Sequence, residues 1–329
     1  MNIVDALNAG LSAAIGPVAI AYAISALGLN LQFGYTGLLN FGHVAFMLMG
    51  AYGMAITVEN GGSLWLGMLV GILAAVTLGL ILGIPTLRLR ADYLAITTIA
   101  AAEVLRLMVR SSWADPLTGS VFGIQGFAGE FFALNPFTSS EVYDIAFISV
   151  TGRRLWIIIA GWILVVLLTL LMARVLRSPW GRLIRAIRED EDAVRSLGKN
   201  VFARKLQALT IGGALGAVAG MILAIEQQNV TPDSFRPEIT FIIFAIVILG
   251  GAGTVWGPLV GAVVFQFLFF FLDTMMRDAQ ASVGWVNAIL STAGAAQVRF
   301  ILVGVGLILL LVYRPQGLLG NRREAIVGV

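Results

Sequence analysis

The sequence contains no cysteine and a single histidine, His43. The first absence excludes disulfides, thiolate catalysis and cysteine-ligated metal or iron–sulfur centres, and the second leaves no histidine pair for a metal site. No cofactor and no metal are expected. Charge is also scarce: Asp, Glu, Lys and Arg make up 12% of the 329 residues while 59% are hydrophobic, against a charged share of roughly 25% in a soluble domain. A chain so poor in charge cannot clothe a water-facing surface, so the composition specifies an integral membrane protein. The net charge of +3 is too small to attract a polyanion, and no nucleic-acid partner is expected. Residues 1–87 hold no Lys or Arg, so the N-terminus lacks the basic region of a cleavable signal and its first apolar segment reads as a retained helix. There is no Gly-x-x-x-x-Gly-Lys-Ser/Thr phosphate loop, so the chain cannot hold and split ATP by that device. An intramembrane enzyme lacks its constellation as well, and the chain is expected not to be an enzyme.

What is present is long uncharged sequence. Between Asp5 and Glu59 lie 53 residues without a charge, and 28 more follow before Arg88. One crossing takes about 20 apolar residues. Nine crossings fit, at roughly 9–29, 40–58, 64–84, 92–110, 154–174, 205–225, 238–250, 257–275 and 296–313. The expected fold is all-α, a polytopic transmembrane bundle of eight or nine spans, some of them discontinuous, forming a single domain over 1–329.

Basic residues orient it. Residues 174–205 carry nine of the 21 Lys and Arg, which places that loop in the cytoplasm. Counting outward, the Arg88/Arg90 turn and the tail with Arg314, Arg322 and Arg323 also fall inside, while the N-terminus and the Glu59 turn fall outside. Arg153 and Arg154 fit this map least well. The segment 111–153 is then an extracytoplasmic loop or cap of short elements, either a passive connector or a docking place for a partner.

Two apolar runs are broken. The first break gathers Asn30, Gln32, Gly34, Tyr35, Thr36, Gly37, Asn40, Gly42 and His43, and the second is Gly250 to Pro258 with Thr254 at its middle. Irregular backbone at membrane depth must be buried in protein or line a cavity. Paired interrupted segments mark transporter paths, although two tight turns of small residues would give the same spacing. Glu103, Arg106 and Arg110 share one helical face, and Glu103 with Arg106 reads either as a structural ion pair or as a pair lining the path. His43 reads as a packing residue or a proton relay. The polar turn Glu226 to Arg236, which includes Asp233, reads as solvated, and Arg110 as a helix-end charge.

The basic loop, taken as 177–204, contains one amphipathic helix over 179–198. Pro179 opens it, Leu183, Ile187, Val194 and Leu197 form its apolar arc, Asp190 intrudes on that arc, and Gly198 stops it. Four consecutive acids, Glu189 to Asp192, would be repelled by anionic headgroups, so a protein partner in the cytoplasm is expected.

These landmarks resemble the LivM-type permeases of branched-chain amino-acid ABC importers. The resemblance rests on Gly34-Tyr35-Thr36-Gly37-Leu38-Leu39-Asn40-Phe41-Gly42-His43, on Leu87 to Ile96, on Glu103-Val104-Leu105-Arg106-Leu107, on Gly181-Arg182 through Gly198, on Leu249 to Pro258 and on Arg314-Pro315-Gln316-Gly317-Leu318. It implies a bacterial plasma (inner) membrane permease that pairs with a second homologous permease subunit, two cytoplasmic ATPase subunits and an extracytoplasmic substrate-binding protein. The cargo it implies is a branched-chain amino acid, with urea or short amides as the family's other cargo. It makes the 179–198 segment the coupling element, with Arg182, Arg185, Arg188, Glu189, Asp192, Ala193 and Gly198 as its residues. The general importer pattern is met only in part there, by Asp192-Ala193-Val194 ahead of Gly198. Tyr35, Thr36, Asn40, His43, Glu103, Arg106 and Thr254 are the path candidates. An ion-coupled carrier protonated at Glu103 or His43 is the alternative.

Overall fold

The computed structural model describes residues 3–138, 141–145, 148–282 and most of 301–320. Its long helices are α1 (Ile3–Ile15), α2 (Pro17–Leu29), α3 (His43–Glu59), α4 (Leu64–Thr86) and α5 (Ala91–Arg110). Short elements follow: α6 (Asp115–Thr118), β1 (Ile124–Gln125), α7 (Gly129–Ala133), β2 (Val142–Ile145) and β3 (Ile148–Thr151). Then come α8 (Gly152–Arg177), α9 (Pro179–Glu189), α10 (Glu191–Ser196), α11 (Val201–Gln227), β4 (Asn229–Val230), α12 (Glu238–Gly250) and α13 (Gly257–Ser282). The protein is a polytopic helical bundle, and helices occupy seven of the nine expected crossings. Half of the ninth, 296–313, lies outside the described residues.

The first expected crossing, 9–29, is not one helix. Pro17 has no N–H to continue α1, and the backbone of Gly16 turns extended at ψ 169°. The break frees the Ile15 carbonyl, which accepts a hydrogen bond from the Trp162 indole at 2.9 Å. The apolar span in this region is instead Pro17–Tyr35, 19 residues in which α2 runs on into a π-helical turn, Asn30–Tyr35. Helix α1 packs against α13, where Gly10 meets Phe267.

The core lies where α2, α3, α4 and α11 meet. Lipid gives helices no hydrophobic reason to associate, so close van der Waals packing must hold them together. Glycine allows the approach: a Cβ on Gly50 of α3 would lie 2.3 Å from the Ala217 carbonyl of α11, and one on Gly220 would lie 2.0 Å from the Met47 carbonyl. Large apolar residues of α4 and α8, such as Leu69, Ile81, Ile163 and Leu167, point outward, as lipid-facing side chains do.

Contacts across the bundle join segments expected on the same side. At the end carrying α9, Arg188 reaches Gly34, Asn30 reaches Thr254, and Leu318 and Leu319 hydrogen-bond the carbonyls of Leu249 and Gly250 at 2.9 and 3.0 Å. At the opposite end, Glu130 accepts from the Leu64 amide at the start of α4 at 2.6 Å, and β1 pairs antiparallel with β4. The loop 111–153 is therefore a cap of short elements pinned to the bundle.

Candidate functional site

The two breaks meet. Asn30, buried at the start of the π turn, donates from Nδ2 to the Thr254 carbonyl at 2.8 Å, and its Oδ1 accepts from the Gly253 amide at 2.8 Å. One side-chain amide thus closes a two-way bridge between chain segments more than 220 residues apart. Gly34 lies over this bridge, and a Cβ there would be 2.0 Å from Asn30 Oδ1 and 2.5 Å from the Gly253 nitrogen. The second break needs Gly251 and Gly253 in the left-handed region, at φ 111° and 79°. Thr254 fixes that turn, donating to the Gly251 carbonyl at 2.7 Å and accepting from the Gly257 amide at 3.1 Å.

The first break is tied to three other helices by side chains that replace missing backbone bonds. Gln32 donates to the Leu209 carbonyl of α11 at 3.0 Å and accepts from Asn40 at 3.0 Å. Thr98 of α5 accepts from the Phe41 amide, and Thr240 of α12 accepts from the Val44 amide, both at 3.1 Å. Thr36 folds back onto the Leu31 carbonyl at 2.8 Å. Tyr35, Thr36 and Asn40 are buried, so this end of the bundle is closed around them. His43 is buried in the first turn of α3 beside Phe46 and Gly216.

The 179–198 segment touches the first break directly. Ser178 caps α9 by accepting from the Gly181 amide, and Pro179 occupies the first turn. Ile184 and Ile187 bury one face. From the next turn Arg188 donates to the Gly34 carbonyl, and the Arg185 guanidinium lies 5.2 Å from the Tyr35 ring centre while donating to the Leu176 carbonyl at 3.1 Å. The single amphipathic helix expected over 179–198 is two helices. Asp190 is extended and accepts from the Ala193 amide at 2.9 Å, so the acid that intrudes on the apolar arc ends α9 and caps α10. Leu197 then leaves the apolar face and is 76% exposed. Arg182, Glu189, Asp192, Ala193 and Gly198 are exposed, with Gly198 at φ 71° ending α10.

Glu103 and Arg106 are not among the break residues. Arg106 lies eight residues beyond Thr98, about 12 Å farther along α5, and is 8% exposed. Its guanidinium grips Glu103 through Nε at 2.9 Å and Nη2 at 2.6 Å, and Nη1 donates to Asp233 at 2.8 Å. Arg110 and Arg236 also approach Asp233, at 3.6 and 3.7 Å. Arg110 ends α5, as expected of a helix-end charge, and is also a partner of Asp233; Asp233, one-third exposed in its polar turn, gathers arginines as well as meeting solvent. Among the residues that matter here, Asn30 and Gln32 stand out in sequence as amides in an apolar run. Asp233 and Thr240 carry no local signal, because their partners are distant in the chain.

A model of the family described as "Branched-chain amino acid transport system / permease component" matches residues 13–312. The chain belongs to this family. It is 32% identical to the high-affinity branched-chain amino acid transport system permease protein LivM of Escherichia coli K12 over 323 residues, covering 95% of this chain and 71% of the relative. It is 26% identical to the probable branched-chain amino acid transport permease LivM of Methanocaldococcus jannaschii, covering 92% and 91%. A fructose import permease of Rhizobium meliloti matches only 36% of the chain, at 31% identity. The protein is accordingly a multi-pass transport permease.

Proposed function

We propose that the chain is one permease of a pair in an ATP-driven importer of branched-chain amino acids, coupled to two ATPase subunits through α9 and α10. Cargo reaches it from an extracytoplasmic binding protein. The end carrying α9 faces the cytoplasm; the nine basic residues of 174–205 support that side. In this orientation the start of α2 lies outside and the C-terminal tail inside, in the plasma (inner) membrane of a bacterium.

The observation that carries this reading is the hydrogen bond from Arg188 to the Gly34 carbonyl. The exposed face of the segment, with Arg182, Glu189, Asp192, Ala193 and Gly198, docks on an ATPase. Its inward face, with Arg185 and Arg188, holds the end of the π turn. Movement of α9 as a lever therefore displaces Gly34 and Tyr35, and Asn30 carries that displacement to the 251–256 turn. The breaks then part and the inner end opens. Tyr35, Thr36, Asn40 and Thr254 supply neutral donors and acceptors for a zwitterion, while the surrounding aliphatic residues suit its side chain. The Glu103–Arg106–Asp233 cluster ties α5 to the 229–236 segment at the outer end and acts there as the opposing latch.

The test is to purify the tagged chain from native membranes in mild detergent. Recovery of two ATPase subunits and a second permease, with leucine uptake that requires ATP, supports the proposal. Recovery of the chain alone, with uptake driven by an ion gradient, overturns it. Replacing Arg182 or Gly198 should uncouple hydrolysis from uptake without unfolding the bundle.

A further inference from the structure

A cavity of about 530 Å³ opens beside the segment just discussed, in the fork between the end of α4 and the start of α11. Its charged lining is Arg88, Arg195, Lys199 and Lys205 against Glu191, four cations to one carboxylate. Glu191 is shared by Arg195, at 2.7 Å, and Lys205, and Arg195 also pairs with Asp192 at 3.0 Å. Arg88 and Lys199 have no carboxylate partner among the described residues, and the Arg88 guanidinium stands 5.9 Å from the Phe202 ring centre. The cavity therefore carries uncompensated positive charge where two membrane helices emerge.

We propose that this cavity binds the headgroup phosphate of an anionic phospholipid in the cytoplasmic leaflet. The leaflet follows from the orientation proposed above, and that surface is the anionic one. A lipid is favoured over a soluble anion because the charged cavity continues onto an apolar face. Ile81 and Ile84, three residues apart on one face near the end of α4, are 64% and 50% exposed, and Arg88 follows in the turn just past that end. Acyl chains lie along that face while Arg88 and Lys199 hold the phosphate. The bound headgroup sits against α10, so it braces the docking segment from its lipid side.

The experiment equilibrates the purified complex with mixed phosphatidylglycerol and phosphatidylcholine vesicles, then measures retained lipid by native mass spectrometry. Preferential retention of phosphatidylglycerol is expected. The double variant R88Q/K199Q should weaken that retention about thirtyfold, and both positions are exposed, so folding is not at stake. E191Q, which removes the carboxylate partner of Lys205 and leaves Arg195 only Asp192, should strengthen it. Equal retention of both lipids, no change in either variant, or displacement of the lipid by inorganic phosphate would overturn the proposal. Loss of the ATPase subunits from R88Q/K199Q, with no lipid retained by the wild type, would overturn it too and assign the cavity to an acidic ATPase surface. The readout is bound lipid, so its failure leaves the import reading standing, and a chain that keeps the lipid but purifies alone defeats only the latter.

Discussion

Asn30 joins the two breaks, and replacing it by leucine removes the joint with little change in volume. Two hydrogen bonds of 2.8 Å are lost, and the Gly253 amide and Thr254 carbonyl are left without their partner. Each bond contributes about 1 kcal/mol net, and a buried amide left unsatisfied costs about 1–3 kcal/mol more, so the closed arrangement should weaken by about 3 kcal/mol. That is roughly a hundredfold shift in its population. Asn30→Asp keeps the acceptor for Gly253 but sets an oxygen against the Thr254 carbonyl. Gly34→Ala attacks the bridge from above, because its Cβ would lie 2.0 Å from Asn30 Oδ1. In proteoliposomes holding the whole complex, Asn30→Leu and Gly34→Ala should each hydrolyse ATP while transporting several-fold less amino acid per ATP. Together they should be no worse than either alone, since both break one contact. Wild-type transport per ATP in Asn30→Leu, or additive losses in the pair, would refute the reasoning.

Other consequences follow from the same geometry. Arg106→Met removes the cation that Glu103 and Asp233 share, but Asp233 keeps Arg110 and Arg236 at 3.6 and 3.7 Å and both carboxylates are about a third exposed, so the loss should be about 1 kcal/mol, seen as a slightly lower melting temperature of the complex; Asp233→Asn, which keeps an acceptor, should lower it less. Asp190→Ala removes the cap of α10 and should cost about 1 kcal/mol, with faster hydrogen exchange confined to 191–196. Gly50→Val drives a side chain into the backbone of Ala217, and the variant should fail to yield a folded complex, whereas a valine at Gly61, which faces open space at φ 83°, should strain only its own turn.

Much of the bundle was legible in sequence because the bilayer imposes a length that uncharged runs must meet. The segments 64–84, 154–174 and 205–225 fall within helices α4, α8 and α11 for that reason. The run from Asp5 to Glu59 was harder. Its charge pattern is uniform, so 9–29 reads as one crossing; the one local mark of the end of α1 is Pro17, and a single proline in an apolar run is compatible with a kink as well as a break. The breaks themselves were visible as amides and glycines out of place, but their meeting was not. The bridge at Asn30 depends on how α2 and α13 pack, which no local pattern encodes. Asp190 shows the same limit in reverse: a residue that looked like a flaw in one helix is the cap of the next. Asp233 sits in a loop whose composition suits solvent, and only the fold brings Arg106 to it.

The most direct test of the account is the coupling ratio of Arg188→Ala in the reconstituted complex, measured as amino acid taken up per ATP hydrolysed. Arg188 keeps solvent exposure on the face of α9 turned to the π turn, where its one described hydrogen bond goes to the Gly34 carbonyl, so the complex should assemble and hydrolyse ATP. Uptake per ATP should fall at least about tenfold, the effect of losing one charge-assisted hydrogen bond of roughly 1.5–3 kcal/mol from the lever. An unchanged ratio in an assembled, hydrolysing complex would contradict the claim that α9 drives the breaks through Gly34.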